Sequence, residues 1–366
     1  MDLAGAPWQV RFGGDQQPGR YRLVEFPEAL LKEIEGNQGS GEPAFYIRGN
    51  AEDEAVLCTP TATFLMRDAE NSNSLLLSTV DSDARTLTVR ENLGGVIELA
   101  RIPPRLAKVR EMLNRRPYAG VESEVRLDRD QLYGRDELLA VVQASEAELS
   151  HYLDVLHAFM LDGVYRVLEP SYLDELLATL FACALSNRWP ADAVPVDLAV
   201  EEIVKTNAAF CDASARNAID AFSDKAASQL TPGGTVALSP ERVCLHFAER
   251  LFEQSARWNY EAWNAAWAER VGPLFAVDRS VLAGHALLEP TLEGADIVYF
   301  PSSALPLEPL ARFQRLFAVR PRWQHSDIVP YIRDIAASDI HLDSLLLKHT
   351  RPFTDPQGTK MYSTRF

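Results

Sequence analysis

Apolar residues between about Gly19 and Ile102 come in short runs: "RYRLVEF", "AFYIRG", "EAVLCT", "TATFLMRD", "NSLLLS", "RTLTVRE" and "GVIELARI". Gly, Asn, Asp and Pro clusters separate them, and this spacing predicts a small antiparallel sheet or barrel. One helix, Pro27–Glu35, interrupts the series, and the acidic stretches "NAEDE" and "DAENSN" read as exposed loops. Several runs are apolar on both faces, so the sheet alone would leave an apolar face or edge open. A partner chain is expected to complete it.

Past Pro103-Pro104 the periodicity changes to that of helices. "RLAKVREMLNRR" reads as a basic connecting helix. A helix carrying Leu138, Leu139 and Val142 then stops at Ser145, where the capping box Ser145…Glu148 opens a second one. Its inner face is Leu149, Tyr152, Leu153 and Leu156. Asp162-Gly163 signals a hairpin, with "VYRVL" as its far strand. Helix, tight turn, helix and hairpin describe a winged helix.

The C-terminus repeats this order. "LEPLARFQRLFAV" is a first helix and "RPRW" an extended piece. Ser326 is expected to cap a second helix, with Pro330 in its opening turn and Ile328, Ile332 and Ile335 inside. Ser338 or Asp339 starts a third helix that buries Ile340, Leu342, Leu345 and Leu346. A hairpin of "RPF" and "TKMYSTRF" follows. "SPERVCLHFAERLFEQ", with its Ser239-Pro240 start, and "VDLAVEEIVK" suggest a further module of this kind between the two.

The fold class is therefore α+β and multidomain. A leader (1–18) precedes a β-rich assembly domain (19–102), a helical connector (103–120), a first winged helix (121–190), a middle helical or winged-helix module (191–304) and a C-terminal winged helix (305–366).

Charge sharpens this division. The 366 residues sum to -16, with a sequence pI near 4.9, which argues against an overall nucleic-acid coat. Yet from Arg312 to Phe366 there are nine Lys/Arg against five Asp/Glu, a local balance of +4, whereas Val121–Met160 has three arginines against nine acids. Different partners at the two ends are expected. No apolar run reaches the ~18 residues of a membrane span. The N-terminus lacks a signal-peptide pattern, and Cys58, Cys183, Cys211 and Cys244 are spaced as buried, reduced thiols.

"YRLVEFPEALLKEIE", "FYIRGNAEDEAVLCT", "SNSLLL", "DELLAVVQASEAELSHYLDVLHAFMLDGVYRVLEP", "ALPLEPLARFQRLFAVRPRW" and "DIVPYIRDI" resemble the Dcc-type sister chromatid cohesion proteins, from about Gly19 to the C-terminus. The resemblance implies a nuclear, non-catalytic subunit of the alternative clamp loader, in which an AAA+ large subunit replaces the usual one of replication factor C. It also implies that a very small partner and the tail of the large subunit complete the N-terminal β-domain as a composite barrel. The winged-helix tail would dock on the catalytic subunit of DNA polymerase ε and touch DNA.

The basic residues Arg312, Arg315, Arg320, Arg322, Lys348, Arg351, Lys360 and Arg365 fall on or beside the last module's first helix, third helix and wing, where a winged helix meets DNA. The bland alternative is a solvated face. Phe313, Phe317 and Trp323 are expected inside the core. In the first module Glu146, Glu148 and Asp154, on a helix with no Lys or Arg, would repel phosphate and suit a protein partner or plain solvent.

Catalytic signals are weak. "GDQQPGRY" (Gly14–Tyr21) imitates a phosphate loop but has Arg20 for the lysine and Tyr21 for the hydroxyl. Asp81, Asp83, Asp128 and Asp130 read as caps or turns rather than metal ligands. His151 and His157 lack zinc spacing. His325, His341 and His349 are expected at the surface or beside phosphate, and Trp258, Tyr260, Trp263 and Trp267 mark an aromatic helix. No enzyme, cofactor or metal site is expected. The alternatives are a stand-alone winged-helix regulator, or a hydrolase with dispersed acids and histidines.

Overall fold

The computed structural model describes residues 8–13, 21–28, 30–32, 45–82, 85–124, 131–224, 234–292, 294–336 and 338–365. Asp83, Asp128, Asp130 and residues 14–20 of the imitation phosphate loop lie outside these. The chain divides into two compact units, residues 1–176 with 204–218, and residues 177–203 with 219–366.

The first unit opens with a six-stranded sheet: β1 (Gln9–Phe12), β2 (Leu23–Glu25), β3 (Tyr46–Arg48), β4 (Val56–Cys58), β5 (Thr63–Asp81) and β6 (Thr86–Ile102). The order is β1-β6-β5-β4-β3, with β2 also on β6. β3 to β6 are antiparallel as expected, but β1 and β2 both run parallel to β6. Among the described residues no sheet closes into a barrel, and the purely antiparallel arrangement expected is corrected to an open, mixed sheet.

A second correction concerns the loops. "NAEDE" is an exposed turn, fastened by the Asn50 N–H donating to the Asp53 carboxylate at 2.8 Å. "DAENSN", however, lies inside β5, which pairs with β6 for almost its whole length. The surplus residues are absorbed in a bulge between Glu70 and Leu75, opposite Gly94-Gly95. A Cβ on Gly95 would lie 2.9 Å from the Ala69 carbonyl oxygen, so only glycine permits that approach. Of the helix expected at Pro27–Glu35, Glu28 and residues 30–32 are seen helical, with Leu30 buried among Leu57, Ala62, Phe64 and Leu99.

Val56, Cys58 and Leu65 point to the opposite face. That face meets the next elements through Thr63, whose hydroxyl donates to Glu148 at 2.6 Å and accepts from the Ser145 N–H at 3.0 Å. Those elements are α1 (Ala107–Asn114), α2 (Arg135–Val141), α3 (Glu146–Val155), β7 (Phe159–Leu161) and β8 (Val164–Arg166). The capping box of Ser145 and Glu148 is present, and β7 and β8 form the hairpin, with Asp162 (φ 49°) and Gly163 (φ 85°) at its turn. The helix read as a connector is corrected. α1 buries Val109, Met112 and Leu113 against Leu138, Val142, Leu149 and Leu153, so it belongs to this core.

Among the described residues, four arrays along the chain share a rough order of helix, short strand or bridge, further helices or 3-10 turns, and one or two strands, the first strand or bridge residue pairing each time with the last strand. The first array is α1, a bridge of Tyr133 to Tyr165, α2, α3 and β7–β8. Next come α4 (Pro170–Asn187), β9 (Val194–Pro195), α5 (Val196–Thr206), α6 (Asp212–Phe222) and β10 (Thr235–Val236), with β9 paired to β10 and Ser223 bridged to Leu238. The third array is α7 (Pro240–Phe252), β11 (Arg257–Asn259), α8 (Tyr260–Val271), a 3-10 turn at Arg279–Leu282, β12 (Ala286–Thr291) and β13 (Gly294–Tyr299), with strand order β11-β13-β12. Ser239 caps α7 by accepting from the Arg242 N–H at 3.3 Å. Trp263 and Trp267 are fully buried in α8, while Trp258 lies on β11.

The fourth array is α9 (Pro309–Val319), β14 (Arg322–Gln324), α10 (His325–Ile328), 3-10 turns at Val329–Tyr331 and Arg333–Ile335, α11 (Asp339–His349), β15 (Thr350–Thr354) and β16 (Lys360–Thr364), ordered β14-β16-β15. Gln324, not Ser326, occupies the N-cap of α10, and Pro330 falls in the first 3-10 turn, so the expected second helix is broken. Ser338 caps α11 through the His341 N–H at 3.2 Å.

Candidate nucleic-acid interface

The fourth array holds the basic residues, and its folding explains where each goes. Glu308 caps α9 by accepting from the N–H groups of Leu310 (3.0 Å) and Ala311 (2.6 Å), which hold its carboxyl below the usual carboxylate range. Phe313 and Leu316 turn inward from α9, and Phe317 packs beside them. Trp323 is buried too, its indole N–H donating to the carbonyls of Leu316 (3.2 Å) and Arg320 (3.0 Å). The aromatic expectation for this stretch holds.

Arg312 does not follow its neighbours outward. Its side chain is 0% exposed. The guanidinium donates to the carbonyls of Pro306 (2.8 Å), Tyr331 (2.9 Å), Ser302 (3.1 Å) and Leu305 (3.4 Å), and pairs with Asp334. It gathers three loops into one core and has nothing left for phosphate, so it leaves the DNA-binding set. Arg320 is half withdrawn: it donates to the Leu288 carbonyl, lies 3.6 Å from Asp327 and sits over the Trp323 ring at 5.4 Å.

The remaining cations are exposed, and the sheet brings two of them together. In the register, Ser363 on the central strand β16 faces Arg322 on one side and Arg351 on the other. Directly opposed residues share a face, and two strand spacings put the outer pair roughly 10 Å apart. Arg322 lies over the Phe353 ring at 5.7 Å. Arg365 follows Ser363 by two residues, steadied by donating to the carbonyls of Leu347 (2.9 Å) and Lys348 (3.2 Å). Lys360 lies over Tyr362 at 5.4 Å. Arg315 stands apart on α9, and Lys348 on the last turn of α11. Among the described residues, Arg315, Arg322, Lys348 and Arg351 have no ion-pair partner.

α11 is the surprise, because its outward side carries Asp339 and Asp343 with Ile340 (84% exposed) and Leu347 (64%). Ile340 was expected inside, but Leu342, Leu345 and Leu346 fill that role. His349 is also displaced from expectation: it is buried and stacked on Phe313 at 5.0 Å, and burial lowers its pKa. His325 bonds the Tyr362 hydroxyl at 3.0 Å, and His341 is exposed.

Of the acids expected to face a partner, Glu146 is ion-paired with Arg135 and Glu148 is spent on Ser145 and Thr63, leaving Asp154 fully outward. Among the described residues no group of three or more His, Cys, Asp or Glu could hold a metal ion, and no helix is long and apolar enough to cross a membrane. The four cysteines are free, and burial pushes the Cys58 and Cys244 thiols up.

An open, mixed sheet followed by four such arrays defines a mixed α+β chain. Residues 21–332 match the family Sister chromatid cohesion protein Dcc1, and the chain belongs to that family. Over 376 residues it is 27% identical to Sister chromatid cohesion protein DCC1 of Xenopus tropicalis, covering 100% of this chain and 94% of that one. The human protein of that name is 26% identical over 362 residues (95% and 89%), and that of Saccharomyces cerevisiae 21% over 359 residues (90% and 93%).

Proposed function

We propose that this chain is a nuclear, non-catalytic adaptor in sister chromatid cohesion and DNA replication, a subunit of the alternative clamp loader that tethers the AAA+ loader to DNA polymerase ε and to DNA. Family membership supports the cohesion role. The four arrays are winged helices on this reading, since strand order β14-β16-β15 behind three helices is that topology. Exposed apolar side chains on the sheet, Val10 (56%), Phe12 (68%), Ile47 (69%) and Val80 (61%), support its completion by the small accessory subunit and the large subunit's tail.

One observation carries the DNA contact: the exposed row Arg322–Ser363–Arg351, with Arg365 beside it, in a chain of net charge -16. α11 has acids where a reading helix needs donors, so binding through this sheet is to the backbone, weak and sequence-independent. Tethering then works by effective concentration, several modest contacts summing to avidity. The test is reconstitution: purified loader and polymerase ε catalytic subunit should co-elute in the presence of this chain and separate in its absence. Co-elution that is indifferent to the chain would refute the adaptor role.

A further inference from the structure

The second unit has a cavity of about 380 Å³ between the 3-10 turn at 279–282, the start of β12 and α10. Its origin is local. Gly284 adopts φ +81°, and a Cβ there would lie 3.3 Å from both Cβ and the carbonyl oxygen of Pro330, so only glycine lets the two segments close the cavity's base. Leu287 and Ile297 line the apolar floor, both at least 95% buried.

Two guanidinium groups also line it. Arg279 is exposed, and the carboxylate next to it in sequence, Asp278, is occupied by the Ser280 N–H (2.9 Å) and hydroxyl (2.6 Å). Arg320 donates to the Leu288 carbonyl and keeps Asp327 only at 3.6 Å, beyond a direct hydrogen bond. Asp327 lines the cavity too, so the lining is cationic by one charge in a strongly acidic protein.

We propose that this cavity receives a short acidic-apolar peptide segment of a partner protein: an apolar side chain on the Leu287–Ile297 floor, and a carboxylate on Arg279 and Arg320 that displaces Asp327. A nucleic-acid strand fits less well, because a sugar-phosphate backbone has no apolar group for the floor and the aromatic ring of the lining, Tyr331, is 1% exposed and closed to base stacking. The volume falls in the range of built ligand sites, and a carboxylate on a guanidinium fork is a strong charge-assisted contact. The inference is independent of the arginine row and of the adaptor role.

The test uses the full chain with labelled Leu and Ile methyls and three probes: an octapeptide pool with a fixed Glu-Leu-Glu centre, its Gln-Leu-Gln counterpart, and a twelve-nucleotide oligothymidylate. The acidic pool should shift the Leu287 and Ile297 methyls saturably, and the other two should not. Arg279→Ala, on an exposed side chain, should weaken that binding about tenfold while leaving duplex-DNA affinity unchanged. Asp327→Asn, which removes the internal competitor, should strengthen it several-fold. The proposal is overturned by silent methyls, by equal response to the Gln pool, by response to the oligonucleotide alone, or by no gain on Asp327→Asn.

Discussion

Arg312 shows how far a single side chain can depart from the pattern around it. A guanidinium has five N–H donors in a fixed fork, and here they meet four carbonyls from residues 302–306 and 331 plus the Asp334 carboxylate. Arg312→Met removes the donors and orphans buried acceptors, so we expect a loss of about 3 kcal/mol in urea unfolding. Arg312→Lys should recover only part of it, since an ammonium cannot span the same acceptors. His349 gives a second residue-scale prediction. Its folded pKa lies below the usual value of about 6.5, so below pH 6.5 the unfolded state binds the proton first. Stability from this group is complete above that pH and falls as pH drops toward the folded pKa. A thermal melting series from pH 7 to 5 should show this decline, and His349→Phe should flatten it.

At the scale of elements, α3 is anchored twice by one carboxylate. Glu148 accepts from the Ser145 N–H at 2.9 Å and from the Thr63 hydroxyl at 2.6 Å, joining the capping box to the sheet. Ser145→Ala should cost about 1 kcal/mol. A double-mutant cycle of Thr63→Val with Glu148→Ala should return a coupling of about 1 kcal/mol, where additivity would mean the junction contributes nothing. The capping box was legible in sequence because its four residues are contiguous, as was the Asp162-Gly163 turn. The continuation of β5 through "DAENSN" was not, because polar residues that read as a loop are held in strand by β6, roughly 25 residues away. The arginine row was hidden for the same reason: 322, 351 and 363 become neighbours only through strand register. Arg312 was misread because periodicity scores every charge as outward, whereas its acceptors lie outside its own helix, in residues 302–306 before it and in the 3-10 turns that hold Tyr331 and Asp334. Ile340 was misread because α11 has more apolar residues than its inner face can hold.

For the molecule as a whole, charge is the organising quantity. A chain of -16 should repel DNA generally, so any affinity must come from local cationic faces and weaken steeply with salt. The fourth array is, with the basic helix at 105–116, one of the places where the sequence balance turns positive, and the fold then sorts its cations: Arg312 into the core, Arg320 into the cavity wall, and Arg322 and Arg351 onto one side of the sheet. Acids follow the same logic, since Glu146 and Glu148 serve internal partners and leave Asp154 as the outward charge of α3.

The most direct measurement is duplex-DNA affinity of the full chain between 50 and 200 mM salt, compared with the triple variant Arg322→Ser, Arg351→Ser, Arg365→Ser at matched thermal stability. The exposed row predicts a marked loss of affinity at low salt and a slope of log K against log salt reduced by about 3. An unchanged affinity and slope would contradict it.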